Sequence, residues 1–503
     1  MAILKDLIGT IEYKVIQGSM DTEILSIAYD SRKCTLNSLF VCIQGNKQDG
    51  HDFIYQAIEQ GASAIFVQEL VWETKAFDLA HCSNKLLTVV IVQDTRKVLA
   101  QISSSFFKNP SGRLKLLGVT GTKGKTTTTY MFREICLCAG KKTGLVGTIA
   151  NYVGGEIFPS ERTTPESYDL QKLLAEMIEK GDDSCVMEVS SNGLMYDRVG
   201  DCSFYAGVFT NIYHDHIGEG EHASMEEYYA WKMHFFSLTK NAVINGDIPQ
   251  TDDVVLKAEE KDNKIYLYGL SDRCDIRASS LVKQNHHGEI GTAFHLTSPW
   301  YEGDLFVGMP TVFNVYNALA AIALAGLCGL PFEAVREGLM RVRVPGRLQS
   351  VPNDRKITIL VDYAHNSASL EQVLQALREY AEGRLITVFG CGGNRSSLRR
   401  FEMGEISGKL SDLTTITSDN PRDEERMSII NDIRQGLAPT EGKYIIEEDR
   451  RKAIQLSVHE AKPGDIVVIA GKGHEDYQIE QGKVTHFDDA EVIREILDGK
   501  KEK

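Results

Sequence analysis

The strongest constraint on the fold is one short stretch near the first quarter of the chain. The apolar run LKLLGVT (114–120) meets Gly121-Thr122-Lys123-Gly124-Lys125-Thr126-Thr127, and a helix-forming segment, TTTTYMFREICLCAG, follows. A buried strand, a glycine-rich turn and a helix in that order make the first βα unit of a parallel sheet with helices on its faces. Glycines let backbone N–H groups approach phosphate oxygens, Lys125 supplies a cation for the terminal phosphates, and the Thr126 hydroxyl suits Mg²⁺. Strict phosphate-loop spacing needs glycine at 119, where this chain has Val119, so the loop is a variant.

The rest of the chain repeats the alternation. At 503 residues it exceeds what one hydrophobic core organises, and 42% hydrophobic with 25% charged residues excludes a disordered or fibrous chain. The expected fold is α/β in three domains: 1–109, 110–343 and 344–503. The Pro- and Gly-bearing segment 108–113 and the stretch 342–346 are the linkers. Fifty-five Lys and Arg against seventy Asp and Glu leave −15, which argues against nucleic acid as a partner. The longest apolar stretch, 318–330, falls short of the roughly 18 to 20 residues a membrane helix needs and reads as a buried helix. The opening MAILKDLIGT lacks a basic, apolar, small-residue export pattern, and the ten cysteines include no CxxC pair. A cytoplasmic monomer with reduced thiols and no membrane partner is expected.

Polar residues collect just past the apolar runs, where an open α/β sheet puts its ligands. Glu188-Val189-Ser190-Ser191 follows one run; Asn211, Asp215 and His216 follow another, giving carboxylate, imidazole and amide groups that could converge on the phosphates, and hard oxygen ligands among them suit Mg²⁺. The pair His214-x-His216 with His222 nearby makes zinc the alternative, but no thiolate or second tight pair completes a tetrahedral set. Lys232 lies in EEYYAWKMHFF beside an aromatic stripe of Tyr228, Trp231, Phe235 and Phe236, where the default is a snorkelling side chain. Farther on, DYAH (362–365), FGCGGNR (389–395), DNPR (419–422) and GKGHE (471–475) all end apolar runs. Four such loops suggest a rim that grips a small polar ligand, with Arg395 and Arg422 able to fork onto a carboxylate and Glu475 able to hold an ammonium.

With GTKGKT, MEVSS, the Asn211–His216 segment, FNVYNALAA, DYAH, FGCGG, DNPR and GKGHEDYQ in order, the chain resembles the Mur ligases of peptidoglycan synthesis, in particular their tripeptide-forming branch. The resemblance implies a central P-loop ATPase-type sheet for ATP. A small N-terminal α/β domain for the uridine nucleotide and a C-terminal Rossmann-like domain for the incoming amino acid flank it. It implies ATP-dependent addition of meso-diaminopimelate to UDP-N-acetylmuramoyl-L-alanyl-D-glutamate through an acyl phosphate. A lysine-adding or otherwise divergent ligase, a folate-extending relative and a non-catalytic nucleotide-fold protein are the alternatives.

Carried over residue by residue, the resemblance places Ser31, Asn46, Lys47 and Gln48 on UDP, and Thr163, Thr164, Ser190 and Arg198 on the rest of the UDP-sugar peptide. Lys125, Thr126, Glu188 and His216 serve ATP and magnesium, and Asn317, Arg347 and Asp362 lie nearer the base and ribose. Lys232 falls where the family carries a carbamylated lysine, an anionic ligand for a second Mg²⁺. Arg395, Asp419, Asn420, Arg422, Gly471 and Glu475 form the amino-acid site, and DNPR is the form associated with diaminopimelate. The chain departs from the family at Asn192, Tyr196, Asn366-Ser367 and the stretch NRSSLRRFEMG, which leaves the amine preference open.

Overall fold

The computed structural model describes residues 2–45, 48–75, 87–214, 217–218, 221–286 and 289–499. They fall into two compact units, Met1–Thr129 with Ala139–Tyr268, and Tyr130–Cys138 with Gly269–Lys503.

The first unit holds two large sheets beside the short antiparallel pair Ala2–Ile3 and Glu23–Ile24. One has five strands in the order Tyr13–Gln17, Thr88–Val92, Ala62–Gln68, Ser38–Val41 and Ser26–Ala28, parallel except for the first. Its helix Thr95–Phe106 starts where the Asp94 carboxylate accepts the Arg96 and Lys97 N–H groups, and it buries Val98, Leu99 and Ile102 against the sheet. The other sheet is built around Lys115–Thr120, which lies between Ser184–Glu188 and Ala206–Phe209. Thr143–Val146 extends it on one side, and Asn241–Asn245 with Lys264–Gly269 on the other, all parallel. Leu116, Leu117, Val119, Val186, Met187, Val208 and Phe209 are fully buried, and burial on both faces is why these strands read as unbroken apolar runs. The chain leaves Lys115–Thr120 for one side of the sheet and later returns to the other, so the crevice past that strand's carboxyl end is the topological switch point. A Cβ on Gly118 would lie 2.5 Å from the Phe235 ring, so the strand can pack there only without a side chain.

The second unit contains an antiparallel trio, Ile276–His286, Glu289–Thr297 and Glu302–Val307, which the sequence reading did not foresee. The expected buried helix is Val312–Leu327, solvent-free from Ala318 to Gly326. A six-stranded sheet follows in the order Gln349–Ser350, Thr358–Asp362, Ile466–Ala470, Leu385–Phe389, Leu413–Ile416 and Tyr444–Ile446, parallel but for the first pair. Between its strands Leu385–Phe389 and Leu413–Ile416 runs the helix Leu398–Leu410, which Ser397 enters already in helical geometry without a side-chain cap. Among the described residues no helix is long and apolar enough to cross a membrane, and the nine described cysteines form no disulfide.

Candidate active site

The glycine-rich loop leaves the central strand with Gly121 at φ +137° and Gly124 at +89°, backbone that side chains rarely adopt. A Cβ at Gly121 would stand 2.0 Å from the Thr210 hydroxyl. The neighbouring strand end braces the loop: Lys123 N–H donates to Asn211 Oδ1 at 2.9 Å, Asn211 Nδ2 to Lys123 O at 3.1 Å, and Thr210 Oγ1 to Lys123 O at 2.7 Å. Thr122 shares a hydroxyl contact with Tyr228 at 2.9 Å and accepts the Tyr213 N–H at 3.0 Å. Asn211 therefore shapes the loop by bonding to its backbone.

Glu188 ends its strand only 1% exposed. Its carboxylate receives the Thr126 hydroxyl at 3.0 Å, the Thr148 N–H at 2.8 Å and the Thr148 hydroxyl at 3.1 Å. Thr126 and Thr127, in the first turn of the helix Lys125–Cys138, are both buried. A hydroxyl and a carboxylate side by side below a phosphate-type loop are the hard oxygen donors that Mg²⁺ prefers, so these residues fit the ion. Among the described residues no group of three or more His, Cys, Asp and Glu is gathered for a metal. Asp215 and His216, assigned from sequence to this cluster, lie outside the described residues.

Two lysines converge on one oxygen. Lys125 Nζ donates to Gly121 O at 2.8 Å and to Thr122 O at 3.0 Å. Lys232 Nζ donates to the same Gly121 O at 2.9 Å and lies 4.7 Å from the Tyr228 ring centre. Snorkelling, the default reading of Lys232, is corrected: the side chain is 1% exposed and points inward from the helix Met225–His234, which Ser224 caps by accepting the Glu227 N–H. Two like charges on one carbonyl form an arrangement that an anion between them would relieve.

Next to this loop, four of the sequence-assigned substrate residues come together. Thr163 and Thr148 share a hydroxyl contact at 2.9 Å. Thr164 Oγ1 donates to Glu188 O at 2.9 Å and accepts the Ser190 N–H at 3.0 Å, Ser190 caps the helix Ser191–Met195, and Arg198 Nη1 reaches Thr164 O at 3.2 Å. The structure adds what sequence reading missed. Glu166, 4% exposed, is gripped by Arg162 at 2.8 Å, Arg198 at 3.0 Å and Arg96 at 3.2 Å. Arg96 and Arg198 also lie over the Tyr196 ring, at 4.7 and 5.5 Å. Burial pulls the Arg198 guanidinium below its ordinary pKa, against the opposing pull of Glu166. Three guanidiniums on one carboxylate leave a net positive site suited to an anionic ligand. The only local signal was the Arg162/Glu166 spacing of four; Arg96 is 70 positions away. Ser31 donates to Gln56 Oε1 at 2.7 Å and Gln48 O accepts the Gly45 N–H at 2.9 Å, whereas Asn46 and Lys47 lie outside the described residues.

The remaining assigned residues belong to the second unit. Asn317 donates to Asn314 Oδ1 at 3.1 Å. Arg347 lies 4.8 Å from the Tyr363 ring centre, and Asp362 accepts the Leu348 and Ala364 N–H groups, both at 2.8 Å. Burial raises the Asp362 pKa, with Arg347 opposing. Past the strand ends, Asn420 Oδ1 accepts from Lys472 Nζ at 3.2 Å and from Ile479 N–H at 3.0 Å. That turns its Nδ2 toward Glu475 Oε2 at 2.9 Å. Lys472 has no exposed side-chain surface, and burial lowers its pKa. His474, beside Tyr363, is pushed down to about 4 by burial and Arg347, so it is neutral near pH 7. Asp419 is buried at its strand end, and Gly471, at φ +114°, has room for no side chain, since a Cβ would lie 2.7 Å from Asp419 Oδ2. Arg422 Nη1 donates to Gly393 O at 2.9 Å, while Arg395 is exposed.

Residues 23–107 match the Mur ligase family catalytic domain, 119–325 the Mur ligase middle domain, and 346–473 the Mur ligase glutamate ligase domain. A protein of Alkaliphilus metalliredigens named UDP-N-acetylmuramoyl-L-alanyl-D-glutamate–2,6-diaminopimelate ligase is 43% identical over 98% of this chain and 97% of its own length. A Clostridium acetobutylicum protein named as ligase 1 of the same kind is 42% identical over 98% and 99%. A solved structure with the same ligase name superposes with TM-score 0.72 at 28% identity, covering 100% of both chains. The chain belongs to the Mur ligase family. It is an ATP-dependent acid–amino acid ligase of α/β fold.

Proposed function

We propose that this chain joins meso-diaminopimelate to UDP-N-acetylmuramoyl-L-alanyl-D-glutamate in the cytoplasm, with ATP and Mg²⁺, to build a peptidoglycan precursor. The observation that carries the catalytic part is the pair Lys125 and Lys232 on Gly121 O, above the buried Glu188 and Thr126. The two relatives named above, similar end to end, bear the name of that reaction.

In this reading residues 1–109 hold the uridine nucleotide, 110–343 the ATP, and 344–503 the amino acid. The D-glutamyl carboxylate attacks the γ-phosphate; an acyl phosphate forms and ADP leaves. The amine then adds to the acyl carbon, phosphate departs, and the nitrogen gives up its proton. Lys125 and the loop N–H groups neutralise charge on the transferring phosphoryl group. Thr126 and Glu188 would hold Mg²⁺, which supplies further charge neutralisation when bound. The net positive Arg96, Arg162, Arg198 set orients the anionic peptide arm. Asn420 and Glu475 receive the amino acid's ammonium end, and Arg422 its distal carboxylate.

The test is phosphate release from ATP with the nucleotide-linked dipeptide and a panel of diaminopimelate, lysine, ornithine and glutamate. Release with diaminopimelate is expected; release with lysine alone would overturn the amine assignment. Lys232 is proposed to work as its carbamate, made by adding CO₂ to the neutral amine with loss of one proton. Lys232→Ala is expected to lower turnover at least about a hundredfold, an effect of the size of one lost transition-state contact. A short added carboxylate should restore part of it, and an alanine variant of ordinary activity would refute the role.

A further inference from the structure

In the second unit, the loop after Leu385–Phe389 and the loop after Leu413–Ile416 are knotted together by bonds that the proposed reaction does not consume. Gly393 N–H donates to Asn420 O at 2.9 Å, and Arg422 Nη1 returns to Gly393 O at 2.9 Å. One residue on, Asn394 N–H donates to Glu424 Oε1 at 2.5 Å, and the Asn394 side-chain amide donates to Asp423 Oδ2 at 2.7 Å. Glu424 also receives Arg400 Nη2 at 2.8 Å, while Arg400 Nη1 holds Asp432 at 3.0 Å. Arg400 is 4% exposed, so this is a seated guanidinium rather than a surface pair. The Arg400 and Asn394 bonds hold the Glu424 carboxyl below the usual range.

Asn394 and Arg422 both stand at φ +54°. Asparagine tolerates that region; arginine stays there only when its surroundings over-determine it. What over-determines it is visible: Arg422 N–H is fixed on Ile479 O at 2.9 Å, and its guanidinium on Gly393 O. The position of Gly393 O depends in turn on the turn at 393–394, which the Asn394 amide ties to Asp423. The charges make the amide specific. Asp423 and Glu424 face residue 394 together, so a donor without charge satisfies them, whereas a carboxylate there would add a third acid.

We infer that the Asn394–Asp423 pair is a specificity-determining positioning element that sets the carbonyl on which Arg422 rests and so aims that arginine at the far carboxylate of the incoming amine. The inference rests on the reaction proposed above. It makes Asn394, within the substituted 394–400 stretch, a support for Arg422 and not a group that touches the amine.

The test uses the full chain with Asn394→Asp and with the exchange Asn394→Asp/Asp423→Asn. Aspartate accepts the same backbone angle, so the single variant changes charge and donor alone. It is expected to raise KM for the amine about tenfold, as like charges in contact do, with kcat and the KM values for ATP and nucleotide-peptide little changed. The exchange variant, with donor and acceptor reversed, should return the amine KM close to that of the unsubstituted chain. An unchanged amine KM in the single variant, or no recovery in the exchange, overturns the inference. Hydrogen exchange at the 394 and 422 amides gives a second reading that needs no turnover: faster in the single variant and restored in the exchange, with equal protection in all three refuting the pair. Failure of the unsubstituted chain to use any amine would refute the reaction instead.

Discussion

Lys125→Ala is expected to lower ATP-dependent phosphate release about a thousandfold, the loss typical of removing a cationic contact to a transferring phosphoryl group. The ammonium in this structure donates to the carbonyls of Gly121 and Thr122, so it is held at the loop's mouth before any phosphate arrives. Removing it costs the folded chain little, because Gly121 O keeps the Lys232 ammonium and Asn211 and Thr210 brace the loop independently. The expected signature is therefore a large fall in kcat with an unchanged melting midpoint and retained binding of the nucleotide-linked dipeptide. Lys125→Arg should not rescue, since a planar fork cannot replace a compact ammonium between two carbonyls 2.8 and 3.0 Å away. Turnover within tenfold of the unsubstituted chain in the alanine variant would remove Lys125 from the chemistry.

The same loop shows why part of this site was legible in the sequence. Parallel strands covered on both faces must be apolar throughout, so KLLGVT, TILVD, LITVF and IVVIA mark themselves, and the polar residues just past them mark the ligand rim. The antiparallel trio was missed for the converse reason. IRASSLVKQNH mixes Arg, Ser, Lys and Gln with few apolar residues and keeps no strict alternation, so no period announces a strand. Lys232 was ambiguous because a helix sequence tells which face is apolar but not whether an ammonium buried in it finds an acceptor; Gly121 O comes from 111 residues away. The pairing of Glu166 with Arg96 and Arg198 was illegible on the same ground, as was the Asn394–Asp423 bond, where the sequence shows only an unusual residue and not its partner. Long-range pairing of polar groups leaves no periodic trace, and the functional detail of this chain is mostly of that kind.

Breaking a pair of this sort should also cost the second unit much of its stability. Arg450 and Asp489 have no exposed side-chain surface and meet through two bonds of 2.7 Å. Burial works against the Arg450 charge, yet Asp489 more than offsets it and the guanidinium is held above its ordinary pKa. Asp489→Ala leaves that cation buried and unpaired, and the expected loss is about 3–5 kcal/mol in denaturant unfolding of the six-stranded sheet. The double variant Arg450→Met/Asp489→Leu should recover most of this stability, because an apolar pair in the same space needs no desolvation. Activity should not recover with it. Arg450 also donates to Ser418 O at 3.3 Å and Ala470 O at 3.1 Å, the carbonyls immediately before Asp419–Arg422 and Gly471–Glu475. Without those donors both amine loops lose their anchor, so the double variant should fold near normally while its KM for the amine stays raised. Full activity in the double variant would show that the pair supports the sheet alone, and a loss under about 1 kcal/mol in Asp489→Ala would show that water reaches the cation after all.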